Sequence, residues 1–215
     1  MLAARRLTTQ PRYGGKVDAA EEVGPRVTAL HPLLAARWSP RAFDATHTLS
    51  DADVDALLEA ARWAPSASNS QPWRFAVALR GTPEHVAVVE ALVGWNQQWA
   101  PAASALLVAA AVTVTDEGKP LRWAAYDTGQ AVAHLSVQAQ SMGLVVHQMG
   151  GFDVAAVTAL LGGDVTPHTV VAVGRHDPEA VLPESLAARE TAPRTRLDPT
   201  LLRVPLTVWP VAPSA

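Results

Sequence analysis

Two groups of arginines, far apart in the sequence, carry side chains suited to binding an anion. The segment RWSPRAF supplies Arg37, Ser39 and Arg41, and the segment APRTRL supplies Arg194 and Arg196. A guanidinium group binds phosphate through two parallel hydrogen bonds, which makes arginine well suited to phosphate recognition. If the fold brings the two groups together, they form a site for one phosphate-bearing ligand. Each group taken alone is better explained by ordinary solvated arginines on the surface.

A second segment, APSASNSQPW at residues 64–73, contains no histidine, cysteine or carboxylate. Pro65 and Pro72 exclude a helix through it, and Trp63 and Trp73 lie at its borders. Its small and short polar side chains allow the backbone to approach a flat ligand closely. The segment is therefore predicted to be a loop that contacts a ligand without supplying an acid, base or nucleophile.

Other patterns exclude several kinds of chemistry. The chain has no glycine-rich dinucleotide or P-loop motif and no G-x-S-x-G nucleophile segment. None of the seven histidines has another histidine four residues away, and there is no cysteine. We therefore expect no metal site and no catalytic side chain of these types.

The composition is that of a globular protein. Of 215 residues, 49% are hydrophobic and 17% are charged, and the net charge is −3. No basic stripe indicates a nucleic-acid surface. The longest apolar run, Ala100 to Val112, is shorter than the about 20 residues of a membrane-spanning helix. The basic N-terminus lacks the apolar core of a secretory signal, and the absence of cysteine fits a reducing cytoplasm. We expect a cytoplasmic protein that binds neither nucleic acid nor membrane.

The hydrophobic periodicity predicts one α+β domain built around a small mixed sheet. Residues 1–30 are expected to form an arm, either disordered or wrapped around a partner. Residues 31–215 are expected to form a single domain that ends in a C-terminal arm, 198–215. Helices are predicted at 31–37, from the Ser50 cap to Pro65, and at 83–93, 122–142 and 153–162. Strands are predicted at 73–79, 104–114, 144–148, 169–174 and 201–209.

Five segments, in order, resemble motifs of the FMN-dependent nitroreductase family. RWSPRAF is similar to the family's R-x-S-x-[RK]-x-F, and APSASNSQPW is similar to A-P-S-x-x-N-x-Q-P-W. NQQWAPAASALLV, SMGLVVHQMGGFD and the segment from VAVGRHDP to APRTRL are similar to later motifs of the family. The resemblance covers roughly residues 31–197. It implies a central mixed, mainly antiparallel sheet flanked by helices, in a compact form without a large lid insertion.

The resemblance also implies an intertwined homodimer that binds two FMN molecules at its interface. Arg37, Arg194 and Arg196 match the family's phosphate ligands, and Arg41 matches a cation near the pyrimidine edge of the flavin. Asn96 matches an amide at the polar edge of the ring. Arg37 and Arg196 are expected to hold the flavin of their own subunit, and the other residues expected to bind the cofactor are Trp38, Ser39, Arg41, Asn96, Met149, Gly150, Gly151 and Arg194. The loop residues expected at the flavin of the neighbouring subunit are Pro65, Ser66, Ser68 and Asn69.

The activity implied by the resemblance is NAD(P)H-dependent reduction of nitroaromatics, quinones or similar electron-poor molecules by ping-pong hydride transfer. Two positions depart from the family pattern. Gly150 stands where many relatives have an acidic residue, and Trp99 stands where some have a lysine. Trp99 and His147 are expected at the substrate pocket, and Arg41 is then the local cation. The alternatives are a protein that binds FMN without turnover and an interaction module without a cofactor. The sequence does not decide between NADH and NADPH.

Overall fold

The computed structural model describes residues 30–206, so nearly all of the predicted N-terminal arm and residues 207–215 of the C-terminal arm lie outside the described part. Seven α-helices and four β-strands follow one another in the described residues. The helices are α1 (Pro32–Ala36), α2 (Asp51–Arg62), α3 (Pro83–Ala91), α4 (Asn96–Trp99), α5 (Ala124–Ser141), α6 (Val154–Leu160) and α7 (Glu184–Glu190). The strands are β1 (Trp73–Leu79), β2 (Ala105–Ala111), β3 (Val145–Met149) and β4 (Thr166–Gly174).

The strands form one sheet in the order β1-β2-β4-β3. All three pairings among the described residues are antiparallel, for example Val77 opposite Leu107 and Val146 opposite Val173. The predicted α+β class is confirmed. The mainly antiparallel character expected of the sheet is also confirmed, because each described strand runs opposite to its neighbour.

Strand β2 lies inside the sheet and is buried along its whole length. Alternate residues of a strand point to opposite faces, so Leu107 belongs to one core and Leu106 to another. The first core contains buried residues of α2 and α5, and the second contains buried residues of α3 and α6. A sheet covered on both faces explains why β2 is an uninterrupted apolar run.

Helix boundaries follow the predicted capping residues. The Ser50 side chain accepts a hydrogen bond from the Asp53 N–H, and the Asp53 carboxylate accepts one from the Ser50 N–H, which is a complete capping box. Thr82 caps α3 and Asp153 caps α6 by a side-chain bond in one direction only, with Thr82 accepting from the His85 N–H and Asp153 from the Ala156 N–H. Gly143 follows α5 with φ of 72°, a conformation that suits glycine.

The C-terminal segment differs from the predicted strand at 201–209. Its first two residues belong to a 3₁₀ turn, Pro199–Leu202, in which Asp198 caps the Thr200 N–H and proline occupies the first position. Residues 203–206 form no strand, and residues 207–209 lie outside the described part. Pro205 also lacks the N–H that a strand ladder requires. None of the helices within residues 30–206 is long and apolar enough to cross a bilayer.

Candidate functional site

The two arginine groups meet at the end of helix α1. Arg194 donates through Nη1 to the Arg37 carbonyl at 3.0 Å and through Nη2 to the Ala35 carbonyl at 2.9 Å. Arg37 Nη1 lies 3.4 Å from Ser39 Oγ. Partial burial, together with the cations of Arg196 and Arg194, holds the pKa of the Arg37 guanidinium below its ordinary value. The structure thus concentrates positive charge from both ends of the chain at one place.

This cluster fits the phosphate of FMN. Three like charges that repel one another are stabilised when an anion binds among them. Beside them, an open depression of about 400 Å³ is lined by Ala36, Trp38, Glu190, Ala192 and Arg194. The Trp38 ring is half-buried and meets the His176 ring edge-on, with the centroids 5.4 Å apart.

Arg41 has an acidic neighbour that sequence reasoning missed. Glu190 Oε2 lies 3.9 Å from Arg41 Nη1, and the Glu190 carboxylate accepts hydrogen bonds from the Arg41 and Ala42 N–H groups. Burial lowers the pKa of the Arg41 guanidinium, and the Glu190 charge opposes that shift. The expectation that Arg41 is the local cation is therefore corrected to a cation paired with Glu190. No local motif marks Glu190, which lies far from Arg41 in the sequence.

Asn96 and Gly151, which come from two separate motifs, are in contact. The Asn96 side chain donates through Nδ2 to the Gly151 carbonyl at 3.1 Å. A Cβ on Gly151 would lie 2.8 Å from the same Nδ2, whereas a Cβ on Gly150 would meet open space. The backbone at Gly150 is exposed and accessible to a flat ligand.

Met149 does not present its side chain to a ligand. The side chain is 2% exposed and packs in the second core, and the Met149 carbonyl accepts a hydrogen bond from Thr169 Oγ1 at 3.0 Å. The contact expected between Met149 and the cofactor cannot involve the side chain, because the side chain points inward from β3.

The expected substrate contact of Trp99 is corrected as well. The Trp99 indole is 2% exposed and stacks against Phe43, with ring centroids 6.0 Å apart. Its other neighbour is His147, at 4.5 Å between centroids. His147 Nδ1 lies 2.9 Å from the Pro40 carbonyl, which only accepts, so Nδ1 carries a proton. Burial lowers the pKa of His147. Trp99 is buried because its side chain belongs to the second core, together with Phe43 and Leu106.

The loop after α2 has an unusual backbone. Ser68, Asn69 and Gln71 all have positive φ, between 45° and 55°, a region that costs non-glycine residues free energy. Two hydrogen bonds support this shape. Asp127 Oδ2 accepts from the Ala67 N–H at 3.1 Å, and Ser66 Oγ accepts from the Gln71 N–H at 3.0 Å.

The loop and the basic cluster line different depressions of the described part of the chain. Pro65, Ser66 and Ala67 line an open depression of about 460 Å³ together with Trp123, Tyr126, Asp127 and Gln130. Ser68 and Asn69 are exposed. The loop residues Pro65, Ser66 and Ala67 therefore line a different depression from the one that Arg194 lines. Among residues 30–206, no group of three or more histidines, aspartates and glutamates is arranged to hold a metal ion.

Comparison with known proteins identifies the family. The model of the nitroreductase family matches residues 34–93 and 79–175. An uncharacterized 15.4 kDa protein from Mycolicibacterium smegmatis is 38% identical over 132 residues, which cover 58% of this chain and 89% of that protein. A crystal structure of an oxidoreductase containing FMN is 34% identical and has a TM-score of 0.77, covering 86% of this chain and 93% of that chain.

Two further structures share the fold at lower identity. A nitroreductase family protein from Clostridium difficile 630 has a TM-score of 0.61 at 19% identity and covers 82% of this chain and 97% of its own. A proposed nitroreductase in complex with FMN from Exiguobacterium sibiricum has a TM-score of 0.65 at 19% identity, with 80% and 94% covered. Since the family model spans most of the described chain, and since the site motifs and the fold agree with it, the chain belongs to the nitroreductase family.

Proposed function

We propose that this chain is an FMN-dependent oxidoreductase that uses NADH or NADPH to reduce an electron-poor small molecule, such as a nitroaromatic or a quinone. The observation that carries the proposal is the cluster of Arg37, Arg194 and Arg196, assembled from the two ends of the domain. FMN carries a phosphate that such a cluster binds. The similar oxidoreductase that contains FMN supports the same cofactor here.

Arg37 and Arg196 would hold the phosphate, with Arg194 beside them. Two N–H groups of Arg194 already donate to backbone carbonyls, so this residue also fixes the shape of the site. Ser39 Oγ lies at Arg37 and would donate to the phosphate or the ribityl chain. Trp38 lines the adjacent depression and would pack against the cofactor.

Asn96 and the two glycines would hold the ring. The Asn96 amide has both donor and acceptor capacity, as the polar edge of a flavin requires. The open space at Gly150 would let a backbone N–H approach the reactive edge of the ring. The hydrogen bond from His147 to the Pro40 carbonyl would fix the end of β3 that precedes Gly150. When bound, FMN would supply the hydride chemistry, taking a hydride from NAD(P)H and delivering it to the acceptor.

The active form would be a homodimer in which Pro65, Ser66, Ser68 and Asn69 reach the flavin of the neighbouring subunit. Two features of the surface support this assembly. Trp63, Trp123 and Tyr126 are exposed near the loop. The C-terminal segment exposes five large apolar side chains in a short stretch: Leu197, Leu201, Leu202, Val204 and Leu206. Exposed apolar surface of this kind is typical of a segment that packs against a partner.

The proposal is tested with the purified full-length protein. We expect a flavin absorption spectrum, quenching of FMN fluorescence on titration, and steady oxidation of NADH or NADPH when menadione or nitrofurazone is supplied. A dimer in sedimentation experiments is also expected. Tight FMN binding without turnover would instead indicate a protein that sequesters FMN. A colourless protein that does not quench added FMN would contradict the proposal.

A further inference from the structure

Glu190 is the last residue of α7, and its carboxylate is largely buried and bound to backbone N–H groups. Its side chain is 10% exposed, and its oxygens accept from the Arg41 N–H at 2.9 and 3.0 Å and from the Ala42 N–H at 3.1 Å. Its nearest side-chain nitrogens are Arg41 Nη1, at 3.9 Å from Oε2, and His176 Nε2, at 3.8 Å from Oε1. Glu190 is thus held chiefly by backbone groups of a segment that is distant in the sequence.

A second connection joins the same two segments in the opposite sense. Four residues after Glu190, Arg194 donates to the carbonyls of Ala35 and Arg37. The Glu190 carboxylate accepts hydrogen bonds from N–H groups at one end of segment 35–42. The Arg194 guanidinium donates to carbonyl groups at the other end of that segment. The two connections together set the relative position of residues 35–42 and 190–196.

We propose that Glu190 is a positioning residue that aligns Arg37 with Arg196, and that it thereby makes the site prefer a phosphorylated flavin over riboflavin. The inference rests on the proposed function, because it concerns the phosphate of the same cofactor. Glu190 does not itself touch the phosphate in this account. It acts through the backbone of Arg41 and Ala42.

If Glu190 acted only through its charge, it would weaken FMN binding instead of strengthening it. A carboxylate next to a phosphate site repels the phosphate, so removal of its charge alone would tighten binding. A positioning role depends on the length and the acceptor atoms of the side chain. The two roles are therefore separated by variants that change charge and reach independently.

Glu190→Asp keeps the charge but withdraws the carboxylate by one methylene group. Glu190→Gln removes the charge but keeps the length and the Oε1 atom that accepts from both N–H groups, and it loses only the second bond from the Arg41 N–H, the one to Oε2. Glu184→Asp and Glu184→Gln are the matched controls, since Glu184 is an exposed residue at the start of the same helix. The measurements are the dissociation constants of FMN and of riboflavin from fluorescence quenching, with the thermal midpoint as a check on folding.

We expect Glu190→Asp to weaken FMN binding about tenfold, the effect of losing well-aligned charge-assisted hydrogen bonds, and to change riboflavin binding less than about threefold. Glu190→Gln and both Glu184 variants should stay within about threefold of the wild type for FMN. Equal losses for FMN and riboflavin in Glu190→Asp would overturn the inference, and so would unchanged FMN binding. Tighter FMN binding by Glu190→Gln together with unchanged Glu190→Asp would establish the electrostatic role instead. Failure of the wild type to bind FMN would be a different result, because it would reject the proposed function itself.

Discussion

The side chain of Asn96 rests directly on the backbone of Gly151, with Nδ2 3.1 Å from the carbonyl oxygen and no room for a Cβ between them. The contact joins helix α4 to the turn after β3, two parts of the chain that are 55 positions apart. The adjacent N–H of Val93 also donates to the Gly151 carbonyl, at 3.1 Å. The ring-binding amide of the proposed site is therefore fixed by a glycine that has no side chain.

Gly151→Ala should lower the free energy of unfolding by about 1–3 kcal/mol, since the new methyl group would displace the Asn96 amide. Gly150→Ala is the matched control for stability. A Cβ there meets nothing within 4 Å, so its cost should stay within about 0.5 kcal/mol. Urea denaturation of the two variants at equal protein concentration measures the difference. Equal stability of the two variants would show that the contact is easily relaxed.

The Asp127 carboxylate supports the loop from helix α5. It is 2% exposed and accepts from the Ala67 N–H. Asp127→Ala leaves that N–H without its acceptor and should cost about 1–3 kcal/mol of stability. Asp127→Asn keeps an acceptor oxygen and should cost less.

Hydrogen exchange at Ala67 provides the second measurement for this loop. We expect faster exchange in Asp127→Ala than in Asp127→Asn. The exposed Asp55 on α2 serves as a control, and Asp55→Ala should change stability by no more than about 0.5 kcal/mol. Slow exchange of the Ala67 amide in Asp127→Ala would argue that other contacts hold the loop.

Ser68→Gly should raise stability and weaken function. Ser68 has φ of 52°, a conformation that is about 1–2 kcal/mol less favourable for an L-residue than for glycine. The greater freedom of glycine in the unfolded chain offsets part of this gain, so the net effect should be about +0.5 to +1 kcal/mol. In Ser70, with φ of −67° and ψ of −24°, the same change should be destabilising. Denaturation curves of the two variants test the sign, and FMN titration tests the proposed contact of Ser68 with the flavin.

Arg196→Ala should weaken FMN binding by roughly 1.5–3 kcal/mol, as expected for the loss of a charge-assisted bond to phosphate. Riboflavin lacks the phosphate and should bind nearly unchanged. Arg203 is an exposed arginine a short distance along the chain, and Arg203→Ala should leave both affinities unaltered. If Arg196→Ala and Arg203→Ala behave alike, Arg196 does not belong to the site.

Stability should fall as the pH drops below neutrality. Burial lowers the pKa of His47, His85, His147 and His168 from 6.5, so the unfolded chain binds more protons than the folded one below pH 6.5. The contribution of these histidines to the free energy of unfolding is complete above pH 6.5 and decreases as the pH falls toward their folded pKa values. His147→Gln should flatten this slope below pH 6.5, and urea denaturation of the wild type and the variant at several pH values measures the change.

The predicted elements agree with the structure where local signals are strong. The Ser50–Asp53 capping box, the Thr82 and Asp153 caps and Gly143 mark helix ends through contacts within a few residues. The strand predicted at 201–209 is not formed at residues 201–206, where Asp198 and Pro199 favour a turn, and residues 207–209 lie outside the described part of the chain. Within the described residues the sheet is antiparallel throughout, a property that hydrophobic periodicity does not encode.

By itself the sequence supplied the residue types of the proposed phosphate site, a glycine turn and a small polar loop, since these depend on short motifs. It also predicted that the two arginine groups form one site only if the fold brings them together, and it could not show their geometry. Only the tertiary structure decided that Trp99 and Met149 point into the core, that Glu190 lies on the Arg41 and Ala42 N–H groups and that Arg194 bridges to the end of α1. These relationships join residues more than 100 positions apart or depend on which face of an element is buried. Long-range packing decides which distant residues meet and which face of an element is buried, and the spacing of residues within a short motif does not reveal either.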